Sequence, residues 1–332
     1  MRPANARVRV HESAPEAATA QLAADVRFYL ERRPRQLPSR HLYDPLGSAL
    51  FDAICHLPWY RVTAGETRLL TSHAAEILGA LRPLARVVEL GSGNGDKLAA
   101  LVSSGPARSA PLDLHLVDIS RAALETAARA LSAFDHVRVV AHEATYEAGL
   151  RDVTGSLAGD GRTLALFLGS NIGNYDPPGA AALLRQVRGA LGAGDGFLLG
   201  ADLVKPEADL LRAYDDPLGV TAAFNRNLLV RLNRELDADF DLPSFRHRAV
   251  WNAEASRVEM HLVSARPQRV RIRRAGLDLT LRDGETIWTE SSYKYEPQAI
   301  VSQLEAAGFR LHAQWIDEAS RFALTLVDVP GA

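Results

Sequence analysis

A single cysteine, Cys55, leaves this chain unable to form an internal disulfide, which fits a reducing compartment. Charge of one sign is also lacking: 38 Lys and Arg against 40 Asp and Glu give a net charge of −2. The clustered basic excess that marks nucleic-acid binding is therefore missing, and no nucleic-acid partner is expected. No apolar run approaches the roughly 20 residues a membrane span needs, so no membrane association is expected. The first 20 residues are polar and alanine-rich, without the apolar core of a signal peptide. Ten scattered histidines and one cysteine show no metal-ligand spacing, and no metal is expected. What remains is 332 residues with 47% apolar and 23% charged content, enough for one large domain or two of average size. The expectation is a cytoplasmic, monomeric enzyme acting on a small molecule.

The most informative segment is Val88-Glu-Leu-Gly-Ser-Gly-Asn-Gly-Asp-Lys97, followed by His115-Leu-Val-Asp118. An apolar run ends in a glycine-rich turn, a helix follows, and a second apolar run ends in an acid. Only glycine lets the backbone turn so sharply and lets a ligand approach it closely. An acid ending the next strand can accept both hydroxyls of a ribose, the arrangement of nucleotide-binding doubly wound sheets. The glycines fall at 91, 93 and 95, with Glu89 two residues before the first. A dinucleotide site would have its third glycine at position 96, where Asp96 stands. An aspartate at that helix start repels a pyrophosphate and suits a cofactor carrying an amine and a sulfonium. Glu89-x-Gly-x-Gly-x-Gly is similar to motif I of the S-adenosylmethionine-dependent methyltransferases, and Asp118 to their ribose-binding acid. A plain turn beside a solvated aspartate is the competing reading.

Periodicity gives the organisation. A helix is expected from Glu16 to the Arg32-Arg33-Pro34 stop, a short one over Asp44–His56, and a longer one over Gly65–Leu81. Strands at 86–90, 112–118, 137–142, 163–168 and 196–202 then alternate with helices at 96–104, 121–133 and 178–192, which predicts a parallel sheet with right-handed crossovers. Residues 207–235 read as helical and 247–274 as antiparallel strands. A helix at 297–307 and strands at 310–315 and 321–327 return to the sheet. The fold class is thus α/β, a seven-stranded doubly wound methyltransferase sheet with a second α+β lobe. The expected catalytic domain is 65–203 plus 295–332, the substrate-binding lobe 17–64 plus 204–294, and residues 1–16 a loose arm.

Leu166-Phe-Leu-Gly-Ser-Asn-Ile-Gly-Asn-Tyr-Asp-Pro177 ends the fourth strand. Methyltransferases acting on nitrogen tend to place a polar group here, facing the sulfonium. The Asn174 amide can accept from an amine and donate to a carboxylate, and the Gly169 carbonyl can accept from the amine. Asn171 and Asn174 could equally cap a turn.

Leu168-Gly-Ser-Asn-Ile-Gly-Asn174, Arg212-Ala-Tyr-Asp-Asp216, Gly219-Val-Thr-Ala-Ala-Phe-Asn-Arg-Asn227 and Glu290-Ser-Ser-Tyr-Lys294 resemble the histidine-specific N-alpha-methyltransferases of ergothioneine biosynthesis. The similarity runs from about Leu37 to Val327. It implies trimethylation of the L-histidine α-amino group to hercynine, with S-adenosyl-L-methionine as the methyl donor. Asn174, Tyr214 and Gly169 are then implied to hold the α-amino and α-carboxylate groups, with Asn174 and Tyr214 positioning the amine and no dedicated base. Tyr60 would hydrogen-bond one imidazole nitrogen, Glu290 and Ser292 the other, and Met260 would pack on the ring. On the cofactor side the resemblance implies Tyr43, Gly91, Lys97 and Asp118, with Thr145 and Tyr146 lining the adenine.

The chemistry agrees, since a neutral imidazole donates at one nitrogen and accepts at the other. On pattern alone Tyr60 could be a packing aromatic and Met260 core. Glu290 and Ser292 share one face of an extended stretch while Thr289 and Ser291 share the other. Two departures stand out. Thr63-Ala64-Gly65-Glu66 lacks the arginine usual there, and Thr145 replaces the usual acid before the adenine aromatic. The rivals are an N-methyltransferase acting on another aromatic amino acid such as tryptophan, and a non-catalytic cofactor-binding scaffold. A nicotinamide oxidoreductase is disfavoured by the glycine spacing and Asp96.

Overall fold

The computed structural model describes residues 6–10, 15–106, 111–155 and 161–331. The chain opens with strand β1 (Ala6–Val10), followed by the two-residue β2 (Arg35–Gln36). Then β3 (Leu84–Leu90), β4 (Leu112–Asp118), β5 (Val137–Glu143), β6 (Arg162–Phe167) and β7 (Gly196–Asp202) alternate with helices. Next come β8 (Phe245–Asn252), β9 (Arg257–Ser264), β10 (Gln268–Ile272), β11 (Leu277–Leu281) and β12 (Thr286–Tyr293), and β13 (Arg310–Asp317) and β14 (Phe322–Asp328) close the chain. Two units result. One holds the described residues of Met1–Glu12, Val62–Val204 and Lys294–Ala332, the other those of Ser13–Arg61 and Lys205–Tyr293.

The first unit is built on an eight-stranded sheet of order β1-β5-β4-β3-β6-β7-β14-β13. All neighbours are parallel except the two pairs made by β14. The central strands are covered on both faces, which is why they read as near-continuous apolar runs: β7 is buried at every residue and β6 at all but its first. Chain order reverses at β3, with β4 on one side and β6 on the other, so the turns leaving β3 and β6 meet at the carboxyl edge of the sheet. Helix Arg121–Leu131 is capped by Ser120, whose hydroxyl accepts from the Ala123 N–H at 3.3 Å.

Several expectations are corrected. Residues 6–10, inside the segment expected to be a loose arm, pair in parallel with β5 and make the eighth strand. The alternating Ala-Arg-Val-Arg-Val is a strand signal, and β5 would otherwise end the sheet with an unpaired edge. The helix expected over Gly65–Leu81 is two, Val62–Ser72 and Ala74–Gly79. They break at His73, whose ring stacks on Trp315 at 4.8 Å. The helical stretch 207–235 likewise divides into Glu207–Tyr214 and Val220–Leu236. Asp216 fixes the intervening turn by accepting from the N–H groups of Leu218, Val220 and Thr221. Helix Tyr146–Gly155 was not expected.

The second unit carries a four-stranded sheet, order β2-β12-β9-β8, and the β10-β11 hairpin. Helix Val220–Leu236 packs on β8 and β9 and against helix Pro45–Cys55. The latter starts with proline at its first position and with Asp44 as its cap, the Asp44 carboxylate also taking hydrogen bonds from Asn227 and Arg234 at 2.7 Å. Among the described residues, no helix is long and apolar enough to cross a membrane, and no group of three metal-binding side chains occurs.

Candidate active site

In the first unit, Gly91, Gly93 and Gly95 all take left-handed backbone conformations, at φ 78°, 51° and 84°. A side chain at 91 would lie 3.0 Å from the Tyr146 hydroxyl and from Asn171 Nδ2, so the turn after β3 touches both helix Tyr146–Gly155 and the turn after β6. A side chain at 95 would strike Ala127 Cβ at 2.8 Å. The first glycine therefore serves close approach at the sheet edge, and the third serves helix packing. Asp118 ends β4 and accepts from the Gly93 N–H at 3.0 Å and the Ser120 N–H at 2.8 Å. Burial pushes its carboxyl above the ordinary range, and these backbone donors oppose the rise. Ile119 follows it as a large apolar side chain about half exposed.

Tyr146 packs edge-on against Phe167 at 5.2 Å, and burial raises its phenol well above the ordinary value. Thr145 is exposed, and its hydroxyl accepts from the Ala148 N–H at 3.4 Å, so it caps the helix that Tyr146 begins. Lys97 leans on a residue that the sequence reading did not single out for a role. Glu66 is fully buried; its carboxylate lies 2.6 Å from Lys97 Nζ and accepts the Gly169 N–H at 2.8 and 2.9 Å. One acid thus ties the helix after the glycine turn to the turn after β6. Gly169, at φ 75°, holds a backbone conformation strained for other residues, and a Cβ there would displace Lys97 Nζ, 2.8 Å from where it would stand. Asn174 closes the short 3-10 turn Asn171–Asn174, half-buried, with no side-chain hydrogen bond to the described residues.

Glu89 is the other buried acid. Desolvation raises its pKa from 4.5 to about 8, with Lys97 opposing and Glu66 and Asp118 adding to the rise. Between 4.5 and about 8 the folded protein holds a proton that the unfolded chain has released, so stability falls as pH rises through that window. Glu89→Gln is expected to remove this contribution to the slope of unfolding free energy against pH. Denaturant titrations across the window check it, and an unchanged slope contradicts it.

In the second unit, Tyr43, Phe51, Tyr60, Tyr214 and Phe224 form one aromatic cluster. Tyr43 meets Phe51 and Phe224 edge-on at 5.4 and 5.5 Å, and Tyr60 meets Phe51 and Tyr214 at 6.2 and 6.3 Å. Tyr43, expected on the cofactor side, is thus in the same cluster as Tyr60, whereas Gly91, Lys97, Asp118, Thr145 and Tyr146 belong to the first unit. The Tyr214 hydroxyl donates to Ser292 Oγ at 2.7 Å. Met260 on β9 pairs directly with Glu290 on β12, and cross-strand partners share a face. A β-bulge between Trp288 and Glu290 decides which face that is. Without it, Trp288 and Glu290 would point the same way. With it, Trp288 opposes His261 and Glu290 opposes Met260, consecutive residues of β9 on opposite faces. The Trp288 indole N–H donates to the Glu290 carbonyl across the bulge at 2.7 Å. Glu290, Ser292 and Met260 are all buried.

A glycine turn and an acid at the carboxyl edge of a doubly wound sheet of this strand order define a nucleoside-binding, Rossmann-like enzyme of the class I methyltransferase type. Residues 22–329 match the family described as histidine-specific methyltransferase, SAM-dependent, and the chain belongs to that family. It is similar to the histidine N-alpha-methyltransferases of Mycobacterium tuberculosis and Mycolicibacterium smegmatis. Each is 40% identical, over 94% of this chain and 96% of the relative. A 4-dimethylallyltryptophan N-methyltransferase of Epichloe festucae is 25% identical over 87% of this chain and 89% of its own. The residues fit S-adenosylmethionine. Glu89 Oε2 and Ser92 Oγ are closed from water and have no hydrogen-bond partner among the described residues, beside a turn whose glycines admit close approach. A carboxyl and a hydroxyl can each donate and accept, so this edge suits a ligand bearing an ammonium group and hydroxyls.

Proposed function

We propose that the protein methylates the α-amino group of L-histidine three times, giving hercynine for ergothioneine biosynthesis. The observation that carries this reading is the buried face of β9 and β12, where Glu290, Met260 and Ser292 lie together and Tyr214 donates to Ser292. A carboxylate and a hydroxyl beside an apolar thioether suit a ring with a polar edge. An indole, with one donor and no acceptor, would leave part of that edge unpaired and desolvated.

In this reading Glu290 and Ser292 hold one imidazole nitrogen, Tyr60 the other, and Met260 covers the ring. Tyr214, Asn174 and the Gly169 backbone hold the α-amino and α-carboxylate groups. Gly91, Asp118, Lys97, Thr145 and Tyr146 hold the cofactor, with Asp118 on the ribose and Ile119 offering apolar surface to the adenine. Tyr43 contributes aromatic surface. When bound, S-adenosylmethionine supplies a methyl group on a sulfonium that passes in line to the amine. Alignment of the amine by Asn174 and Tyr214 provides much of the rate. The amine reacts as the free base, its proton leaving to water or through a tyrosine hydroxyl. Aromatic faces of the Tyr43–Tyr60–Tyr214 cluster tolerate the growing quaternary cation.

Initial rates with L-histidine and L-tryptophan test the substrate assignment. A kcat/KM at least about a hundredfold higher for histidine is expected, since a site built to pair polar groups rejects analogues lacking them. Equal or better turnover of tryptophan would give the site to an indole.

A further inference from the structure

Three side chains behind the buried face of β9 and β12 are connected by hydrogen bonds that the proposed chemistry does not use. The Thr289 hydroxyl, in the bulge, lies 2.6 Å from Asn225 Oδ1 and 3.0 Å from the Met260 carbonyl. Asn225 Nδ2 lies 3.2 Å from the His261 carbonyl and 2.9 Å from His247 Nδ1. His247 Nε2 lies 2.8 Å from the carbonyl of Tyr214. Asn225 and Thr289 are fully buried, and the His247 side chain is 2% exposed.

The chemistry fixes the protons on Asn225 and His247, while the single Thr289 hydroxyl hydrogen is shared by two acceptors. Carbonyl oxygens only accept, so Nε2 of His247 carries a hydrogen toward Tyr214, and the Asn225 amide turns its NH2 toward His261. That NH2 also faces Nδ1, which must then be the unprotonated nitrogen. His247 is therefore neutral, in the Nε2–H form. Burial, the larger effect, lowers its pKa against the pull of the Tyr214 carbonyl and of Asp215 and Asp216, and Arg226 adds to the lowering. Asn225 is the common member: one arm reaches the main chain of Tyr214 through His247, the other the bulge that orients Glu290.

We propose that Asn225 and His247 are positioning residues that hold Tyr214 and the bulge between Trp288 and Glu290 in register, setting affinity for the amino acid without touching it. The inference rests on the substrate reading above only for which residues meet the amino acid. In Asn225→Asp the shape is kept, but the donor to His247 and to His261 is lost. KM for the amino acid is expected to rise about tenfold or more, while kcat changes less and the Kd for S-adenosylmethionine stays at the wild-type value. Thr289→Val, which removes one hydroxyl, is expected to raise KM about three- to tenfold, and Thr289→Ser to restore it. Wild-type KM in both Asn225→Asp and Thr289→Val would overturn the proposal, as would a parallel loss of S-adenosylmethionine binding. The amino acid used is the one the wild-type protein turns over fastest. If that is not histidine, the substrate reading fails while the network is still tested.

Discussion

Replacing Glu290 by alanine is expected to raise KM for L-histidine by about thirty- to a thousandfold, leaving the Kd for S-adenosylmethionine unchanged. The magnitude follows from the surroundings. Glu290 is buried, opposite Met260, on a strand whose bulge turns it away from Trp288. A charged hydrogen-bond partner lost from so dry a place costs about 2–4 kcal/mol, because the ring nitrogen it served must stay desolvated and unpaired. Glu290→Gln keeps the shape and one acceptor, and should fall between wild type and alanine. Steady-state kinetics at saturating cofactor decide the matter, and a wild-type KM in the alanine variant would remove Glu290 from the substrate.

The second large effect is on stability. Lys294 Nζ lies 2.8 Å from Asp202 Oδ2, with side-chain exposures of 0% and 2%. Asp202 ends β7, its N–H donates to Ser170 Oγ, and its carbonyl accepts from the Tyr295 N–H, so the pair holds the strand end beside the turn after β6. Lys294→Ala would remove the ammonium that faces a buried carboxylate, at a cost of about 3–5 kcal/mol. Pairing Lys294→Met with Asp202→Leu should recover most of that loss, since two apolar side chains have no desolvation penalty to offset. Denaturant midpoints for the single and double variants form the cycle. A single variant as stable as wild type would show that the pair contributes nothing.

Much of the first unit was legible because its signals are local. Helix Asp96–Ser104 and strands Leu112–Asp118 and Gly196–Asp202 fall where glycine turns and apolar runs place them. Helix Tyr146–Gly155 was not, because Gly149 reads as a breaker. In the structure Gly149 is where the helix meets the Val117 side chain, and a Cβ there would collide with it. Glu66 escaped for another reason. Its partners Lys97 and Gly169 lie 31 and 103 residues away in sequence, and no periodicity encodes such a meeting. The shared face of Glu290 and Ser292 was readable, but the direction of that face depends on one extra residue in β12, which alternation cannot reveal. The Asn225–His247 link was hidden likewise, since nothing in a helical asparagine announces a partner on a strand 22 residues on.

The central claim is tested most directly by mass spectrometry of the protein incubated with S-adenosylmethionine and each of the twenty amino acids. Three methyl groups on L-histidine, and on no other amino acid to a comparable extent, is the result this account predicts. Methylation of tryptophan or tyrosine in place of histidine would contradict it, showing that Glu290 and Ser292 do not read an imidazole.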